Sequence, residues 1–254
     1  MHGSAAAAHL HSRAASFRAL HDSLANPGHA APSLADSIHP AQGTSFTALA
    51  GSGGATATQS VSPSLTVNEG STTIYTPTLY PAGGSCIEVT TAYWSGQRSV
   101  AAWDWCNNIN FQAFVTIDSN FLATYGNGNN AYSVDIEQTD AGSNTWTAWL
   151  YNYQAGSWQQ FYQSAGSSQA GTSGWDVYEL YSSTDPSTGN SFACADMAGQ
   201  TFEASGIQVR INGSWQAAGS GNAGTGYDQP HSAFECPDMT YGMVNNYDHW
   251  RAVG

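Results

Sequence analysis

The chain has 254 residues, with five basic side chains (all arginine), 18 acidic ones and a formal net charge of −13. Because nucleic acids and anionic membranes are bound by clustered Lys and Arg, this composition argues against both as partners. No stretch approaches the roughly 20 apolar residues that a membrane-spanning helix needs.

Residues 1–59 differ in composition from the rest of the chain. They hold two arginines, two aspartates and six of the eight histidines, so the whole net charge falls on residues 60–254. Residues 14–24 are prone to form a helix, and the stretch at 42–64, rich in Gly, Ser, Thr and Ala, is typical of a linker. We therefore expect a propeptide-like leader and linker over 1–59 and one domain over 60–254; the alternative is an unfolded tail.

From residue 61 onward, short runs of alternating apolar and polar residues are separated by Gly, Asn, Asp and Ser. This pattern is typical of antiparallel strands with one buried face. Tyr132, Val134 and Ile136, for example, share one strand face. The sequence predicts an all-β fold, an antiparallel β-sandwich of the jelly-roll or lectin-like kind, stabilised by disulfides and preceded by a flexible or helical leader.

Four cysteines, all in the acidic segment, lack the Cys-x-x-Cys spacing of a zinc site, so disulfides are predicted and no metal or cofactor is expected. Three pairings are open. Those of Cys86 with Cys106 and of Cys194 with Cys236 are preferred because each closes a local loop. Disulfides indicate an oxidising compartment, and we expect a secreted, monomeric protein.

The familiar nucleophile motifs are missing, and a catalytic triad would have to use His231 or His249. Acid–base chemistry would therefore fall to carboxylates. Gln138 continues the apolar face that ends at Ile136, and Glu179 lies among apolar and aromatic residues. Burial would raise the pKa of such a glutamate toward the range of a general base in acid solution, whereas the alternative interpretation is an exposed edge residue.

Three segments, in chain order, resemble the eqolisin family of glutamic peptidases, which are secreted acid proteases with a β-sandwich fold. Residues 114–118 (FVTID) are similar to the Trp-Val-Gly-Ile-Asp strand of that family. Residues 136–139 (IEQT) and 149–153 (WLYNY) resemble the strand of the catalytic glutamine and the aromatic run after it. Residues 175–179 (WDVYE) resemble the strand of the catalytic glutamate.

The resemblance implies an acid-acting endopeptidase, made as a zymogen, that hydrolyses polypeptides without a cofactor. Glu179 would be the general base, and Gln138 would hold the attacking water and stabilise the oxyanion. Gln112 is a rival for the glutamine, because Gln138 and Glu179 are close in sequence. The related neprosin type pairs two glutamates, and there Glu88 or Glu203 would be the partner of Glu179.

Aromatic residues would line the substrate-binding site in this interpretation; they are Trp149, Tyr151, Tyr153 and Trp175. The same aromatics suit a secreted carbohydrate-binding module or lectin, since aromatic rings stack on sugars. A third alternative is a glycosidase or polysaccharide lyase that uses two of the carboxylates Asp135, Glu137 and Glu179. Composition does not separate the three functions.

Overall fold

The computed structural model describes residues 37–38, 41–68, 72–107, 110–225 and 236–254. The helix-prone stretch at 14–24 and His231 lie outside these residues. The described residues form two short helices and sixteen strands. In chain order, the strands and helices are β1 (Ser37–Ile38), β2 (Ala41–Phe46), β3 (Ser52–Ser60), β4 (Thr73–Tyr80), β5 (Ile87–Trp94), β6 (Gln97–Asp104), β7 (Asn110–Thr116), α1 (Ser119–Tyr125), β8 (Ala131–Asp140), β9 (Thr145–Asn152), β10 (Ser157–Ala165), β11 (Gly174–Ser183), α2 (Cys194–Met197), β12 (Thr201–Ile211), β13 (Ser214–Ala217), β14 (Ala223–Thr225), β15 (Thr240–Asn245) and β16 (His249–Val253).

The strands form two eight-stranded antiparallel sheets, which confirms the predicted β-sandwich. The first sheet has the order β14-β2-β11-β4-β5-β6-β7, and β1 also pairs with β11. The second has the order β10-β9-β8-β3-β12-β16-β15, and β13 also pairs with β12. Apolar residues from both sheets, Tyr132, Val134 and Ile136 among them, fill the core between them.

The stretch that was predicted as a linker is part of both sheets. β2 pairs with β11 and β14 in the first sheet, and β3 lies between β8 and β12 in the second. Small residues allow close packing here: a Cβ on Gly43 would lie 2.3 Å from the carbonyl oxygen of Asp176. Composition alone suggested flexibility, but pairing with strands distant in sequence outweighs local propensity. The domain therefore begins before the predicted boundary at residue 60.

Two disulfides join Cys86 to Cys106 and Cys194 to Cys236, the pairing preferred for its local loops. They are consistent with an extracellular protein. The helices in the described part of the chain have seven and four residues, and none there is long and apolar enough to cross a bilayer.

A second aromatic cluster covers the face of the first sheet that points away from the second sheet, here called the outer face of the first sheet. It is separate from the core between the sheets and includes Tyr75, Trp94, Trp103, Trp105, Phe111, Trp175 and Tyr181. Those on β4, β5, β6 and β11 alternate with residues that face the core, and Trp105 and Phe111 lie just after β6 and on β7. This outer face carries the candidate site.

Candidate active site

Two carboxylates, Glu88 and Glu179, lie on the outer face of the first sheet. Glu179 shares the face of Trp175 and Tyr181 on β11, and Glu88 shares the face of Trp94 on β5. Both glutamates are fully buried. Only β4 separates their strands, so the strands lie about 10 Å apart. The structure therefore places Glu179 on the same sheet face as one of the two glutamates that the neprosin type suggested, with Glu179 level with Tyr75 of β4 and Glu88 near Leu79.

Three side-chain donors hold the carboxylate of Glu88. Its Oε1 accepts hydrogen bonds from Thr78 Oγ1 at 2.8 Å and from Trp175 Nε1 at 2.9 Å, and its Oε2 accepts one from Trp105 Nε1 at 3.0 Å. Hydrogen bonds of this kind stabilise the charged form of a buried carboxylate. Trp175, predicted to line a substrate-binding site, is thus one of the residues that contact Glu88.

The hydroxyl of Tyr181 contacts Glu179, and the charges of both carboxylates act on it. It donates a hydrogen bond to Glu179 Oε1 at 3.1 Å. Burial raises the pKa of Tyr181 well above its usual value, and the charges of Glu179 and Glu88 raise it further. The ring of Tyr181 also packs edge-on against Tyr75, the residue of β4 that faces Glu179 across the ladder. A neutral O–H donor is thus held next to Glu179.

The structure does not place either predicted glutamine next to Glu179. Gln138 is on β8 of the second sheet, and its Nε2 donates to Asn144 Oδ1 at 2.8 Å. Gln112 is exposed on β7, four strands from β11, which corresponds to about 19 Å. Sequence alternation had assigned each residue to a strand face but not to a sheet.

Glu203, the other glutamate considered as a partner, is on β12 of the second sheet. It forms an ion pair with Arg251 at 3.0 Å and contacts His249. Burial opposes ionisation of Glu203, but the hydrogen bonds from Arg251 and His249 outweigh it and lower its pKa. Glu203 therefore belongs to a surface cluster on the second sheet, as does His249.

The aromatic stripe of β9 is also far from Glu179. Trp149, Tyr151 and Tyr153 alternate with Ala148 and Leu150, which fill the core, so the stripe faces outward from the second sheet. Tyr151 contacts both Tyr153 and Trp158, at ring-centroid distances of 4.9 and 5.3 Å. The expectation that these aromatics surround Glu179 is not met, because β9 belongs to the other sheet.

Asp135 and Glu137 share this outer face of the second sheet. Burial raises the pKa of Asp135 to about 7; the charge of Glu137 adds to the rise and that of Arg210 opposes it. Glu137 forms an ion pair with Arg210 at 3.5 Å. Glu179 lies on the first sheet. It therefore does not form with Asp135 or Glu137 the carboxylate pair that a glycosidase would use.

Asp176 is a carboxylate that is buried between the sheets. Asp176, on β11, accepts hydrogen bonds from Gln59 Nε2 and Trp250 Nε1, both at 2.9 Å. Burial raises the pKa of Asp176 to about 7, although both hydrogen bonds oppose the rise. The sequence analysis did not single out Asp176, because alternation alone does not show that a strand is buried on both faces.

The free energy of unfolding is expected to fall as the pH rises from about 4 to about 8. Asp135 and Asp176 have folded-state pKa values of about 7 against an ordinary 3.8, so the stability they contribute is complete in acid and lost as the pH passes about 7. Urea unfolding at a series of pH values measures this change. Stability that rises steadily across the same range would contradict the prediction.

Within the described residues, no group of three or more His, Cys, Asp and Glu side chains could hold a metal ion.

Comparison with known proteins bears on the fold. No family model and no curated protein matches the sequence. The structure of scytalido-glutamic peptidase with a peptide-based transition state analog is similar at 10% identity and a TM-score of 0.50, over 85% of this chain and 99% of that one. SCP-B, an eqolisin-family peptidase in complex with the tripeptide Ala-Ile-His, has 10% identity, the same coverage and a TM-score of 0.46.

The similarity to scytalido-glutamic peptidase confirms the resemblance to the eqolisin glutamic peptidases at the level of the fold. The chain has the two-sheet fold of scytalido-glutamic peptidase across most of its length.

Proposed function

We propose that this protein is a secreted endopeptidase that hydrolyses polypeptides in mildly acid solution, with Glu179 as the general base. The observation that supports the proposal most is the placement of two buried glutamates, Glu88 and Glu179, on one sheet face of a glutamic-peptidase fold. Buried carboxylates that share a face are common in acid–base sites and uncommon elsewhere.

The proposed reaction begins with the ionised form of Glu179. Its carboxylate takes a proton from a water molecule while the water oxygen attacks the peptide carbonyl carbon. The hydroxyl of Tyr181, which contacts Glu179 in the resting protein, donates a hydrogen bond to the oxyanion that forms. When the C–N bond breaks, Glu179 returns the proton to the departing amine, leaving one free carboxyl group and one free amine.

Glu88 has a supporting role in this proposal. Its three donors hold the carboxylate in place, and in its ionised form the negative charge of Glu88 on the same buried face disfavours ionisation of Glu179. Glu179 is therefore a stronger base than an exposed carboxylate and returns its proton at a mildly acid pH. The glutamine of the eqolisin pattern is replaced here by a glutamate, as in the neprosin type.

The test is hydrolysis of casein between about pH 3 and 5 in the presence of pepstatin, which blocks aspartic peptidases. We expect cleavage that pepstatin does not inhibit, and its absence throughout this range would refute the proposal. N-terminal sequencing of the protein after the acid incubation tests the propeptide. Because β1, β2 and β3 are parts of the two sheets, a removable leader must end before Ser37.

A second candidate function is glycan binding on the outer face of the second sheet. Tyr153 and Trp158 are 38% and 42% exposed there, unlike most aromatics of this protein, and Tyr151 connects them. Exposed aromatic rings of this kind stack on the apolar faces of sugars.

If this face binds a neutral polysaccharide, Trp158→Ala is expected to weaken retention on insoluble β-glucan or cellulose by about tenfold, the loss of one stacked ring. Pull-down at several glycan concentrations measures the change. Phe192→Ala, which removes a similarly exposed ring elsewhere, is the control. Lack of retention of the unaltered protein on both glycans would rule out this candidate.

A further inference from the structure

A continuous chain of buried hydrogen bonds crosses the core and returns. Gln59 Nε2 donates to Asp176 Oδ2 at 2.9 Å, and Tyr132 donates from its hydroxyl to Gln59 Oε1 at 2.8 Å. The Tyr132 hydroxyl also shares a hydrogen bond of 2.9 Å with Thr91 Oγ1. All four side chains are almost completely buried. We call the four residues Asp176, Gln59, Tyr132 and Thr91 the crossing chain.

The two ends of the crossing chain lie on the strands of the two glutamates. Asp176 is on β11, three residues before Glu179, and Thr91 is on β5, three residues after Glu88. Its two central members, Gln59 on β3 and Tyr132 on β8, belong to the second sheet. The crossing chain therefore links β11 to β5 on the core side of the first sheet, through two strands of the second sheet.

The strand between β11 and β5 does not join them in a regular ladder. The register of β4 shifts against both neighbours between Tyr75 and Thr78. This irregular stretch lies between the level of Glu179, which faces Tyr75, and the level of Glu88, near Leu79. A bulge weakens the ladder locally, so the relative position of the two outer strands needs another constraint.

We propose that the crossing chain sets the position of Glu179 relative to Glu88, and that Asp176 and Thr91 are positioning residues for the proposed peptidase reaction. The inference rests on the proposed function. Fully satisfied buried networks of this kind specify one arrangement of the elements that they join. A displacement of about 1 Å in a catalytic group can cost a hundredfold in rate, so the constraint matters for catalysis.

The charge of Asp176 makes this constraint dependent on pH. Its neighbours in the core, Gln59 and Trp250, are uncharged donors, and the titratable groups that feel its charge are Tyr132 and Tyr241. Burial raises the pKa of both tyrosines, so they stay neutral.

On β16, His249 and Arg251 flank Trp250 but contact Glu203 at the surface of the second sheet. Asp176 is therefore neutral in acid, and above about pH 7 it becomes a buried charge that the described groups do not neutralise. The crossing chain then carries this buried charge, which is expected to disturb the packing of β11 and to lower kcat as the pH rises above about 7.

The first test compares Asp176→Asn with the unaltered protein. Asparagine keeps the size of the side chain and cannot ionise. Because its amide has one acceptor oxygen, Gln59 or Trp250 loses a hydrogen bond, and we expect kcat for casein peptides at about pH 5 to fall by about three- to tenfold. The loss of kcat between about pH 5 and pH 8 should become about tenfold smaller, with KM unchanged. Asp135→Asn, which removes the other aspartate of raised pKa, should leave the pH profile of kcat unchanged. Superimposable profiles for Asp176→Asn and the unaltered protein would overturn the role of Asp176.

The second test breaks the chain at its other end. Thr91→Val removes one hydroxyl at nearly constant volume and should lower kcat about tenfold at unchanged KM, whereas Thr91→Ser should restore it. Thr44→Val is the matched control, since Thr44 is equally buried in the first sheet and donates one hydrogen bond, to the carbonyl of Tyr247, outside the crossing chain. Equal kcat values for Thr91→Val and Thr44→Val would overturn the proposal.

Amide hydrogen exchange separates failure of this inference from failure of the proposed function. Thr91→Val should raise exchange about tenfold in β11 as well as in β5, while Thr44→Val should not affect β5. If the unaltered protein is inactive but Thr91→Val still raises exchange in both β5 and β11, the peptidase function is refuted and the link between the two strands is retained. An active protein in which β11 exchange is unchanged by Thr91→Val would refute only the link.

Discussion

Replacement of Glu179 by glutamine is expected to lower kcat for casein peptides by about a thousandfold at mildly acid pH, within the range usual for loss of a general base. Glutamine has the size of glutamate, and its carbonyl oxygen still accepts the hydrogen bond of Tyr181, but it cannot take a proton from water. The thermal midpoint should change little. Initial rates and a melting curve on the same preparation measure both quantities.

Glu203→Gln is the matched control for this variant. It makes the same chemical change on the second sheet, where it loses a partly exposed ion pair with Arg251 worth about 1 kcal/mol or less. Activity should stay within twofold of the unaltered protein, roughly the scatter of such assays. If Glu179→Gln kept most of its activity, or Glu203→Gln lost as much, Glu179 would not be the base.

Replacement of Glu88 by glutamine is expected to change both stability and the pH profile. The side-chain amide presents an N–H group where a carboxylate oxygen accepted a hydrogen bond, so at least one of the donors Thr78, Trp105 and Trp175 loses its acceptor. A buried donor left without a partner costs about 1–3 kcal/mol of unfolding free energy. Urea unfolding at about pH 5 measures this loss.

The charge removed in Glu88→Gln has a separate effect on the reaction. Without the neighbouring negative charge, Glu179 ionises more readily, so the acid limb of kcat/KM should move to lower pH by about one unit. Glu137→Gln, which removes a half-buried carboxylate paired with Arg210 on the second sheet, should leave this limb in place. An acid limb of Glu88→Gln that coincides with that of the unaltered protein would show that Glu88 does not act on Glu179.

The eqolisin resemblance was a better guide to the fold than to the second catalytic group. It suggested that a glutamine beside Glu179 would come from residue 138 or 112, and neither lies there in the structure. The pairing of two glutamates was open as an alternative, and the alternation of Glu88 with Ile87 and Val89 placed it on the face opposite to the core. That pattern did not show that β5 would lie two strands away from β11 in the sheet.

The predicted linker is a second region in which the local sequence did not decide the structure. Its Gly, Ala and Ser residues have little intrinsic preference for strands, yet Ala55 and Ala57 are buried in β3, and Gly43 allows β2 to approach β11 closely. Tertiary pairing outweighed composition there. The aromatic stripe of β9 was recognised as one face of a strand, but that face points away from the first sheet.

By itself the sequence determined the features that depend on neighbours along the chain: the strand class from a period of two, and the polar residues that interrupt apolar faces. For the disulfides it gave a preference among three pairings, based on local loops. Only the tertiary structure decided which sheet each strand joins, and so which carboxylates share a face. Alternation orients a side chain relative to its own strand, whereas strand order and register depend on contacts between residues far apart in sequence. For that reason Glu179 could be recognised as a candidate from the sequence, while Glu88, Tyr181 and Asp176 acquired their roles only in the folded protein.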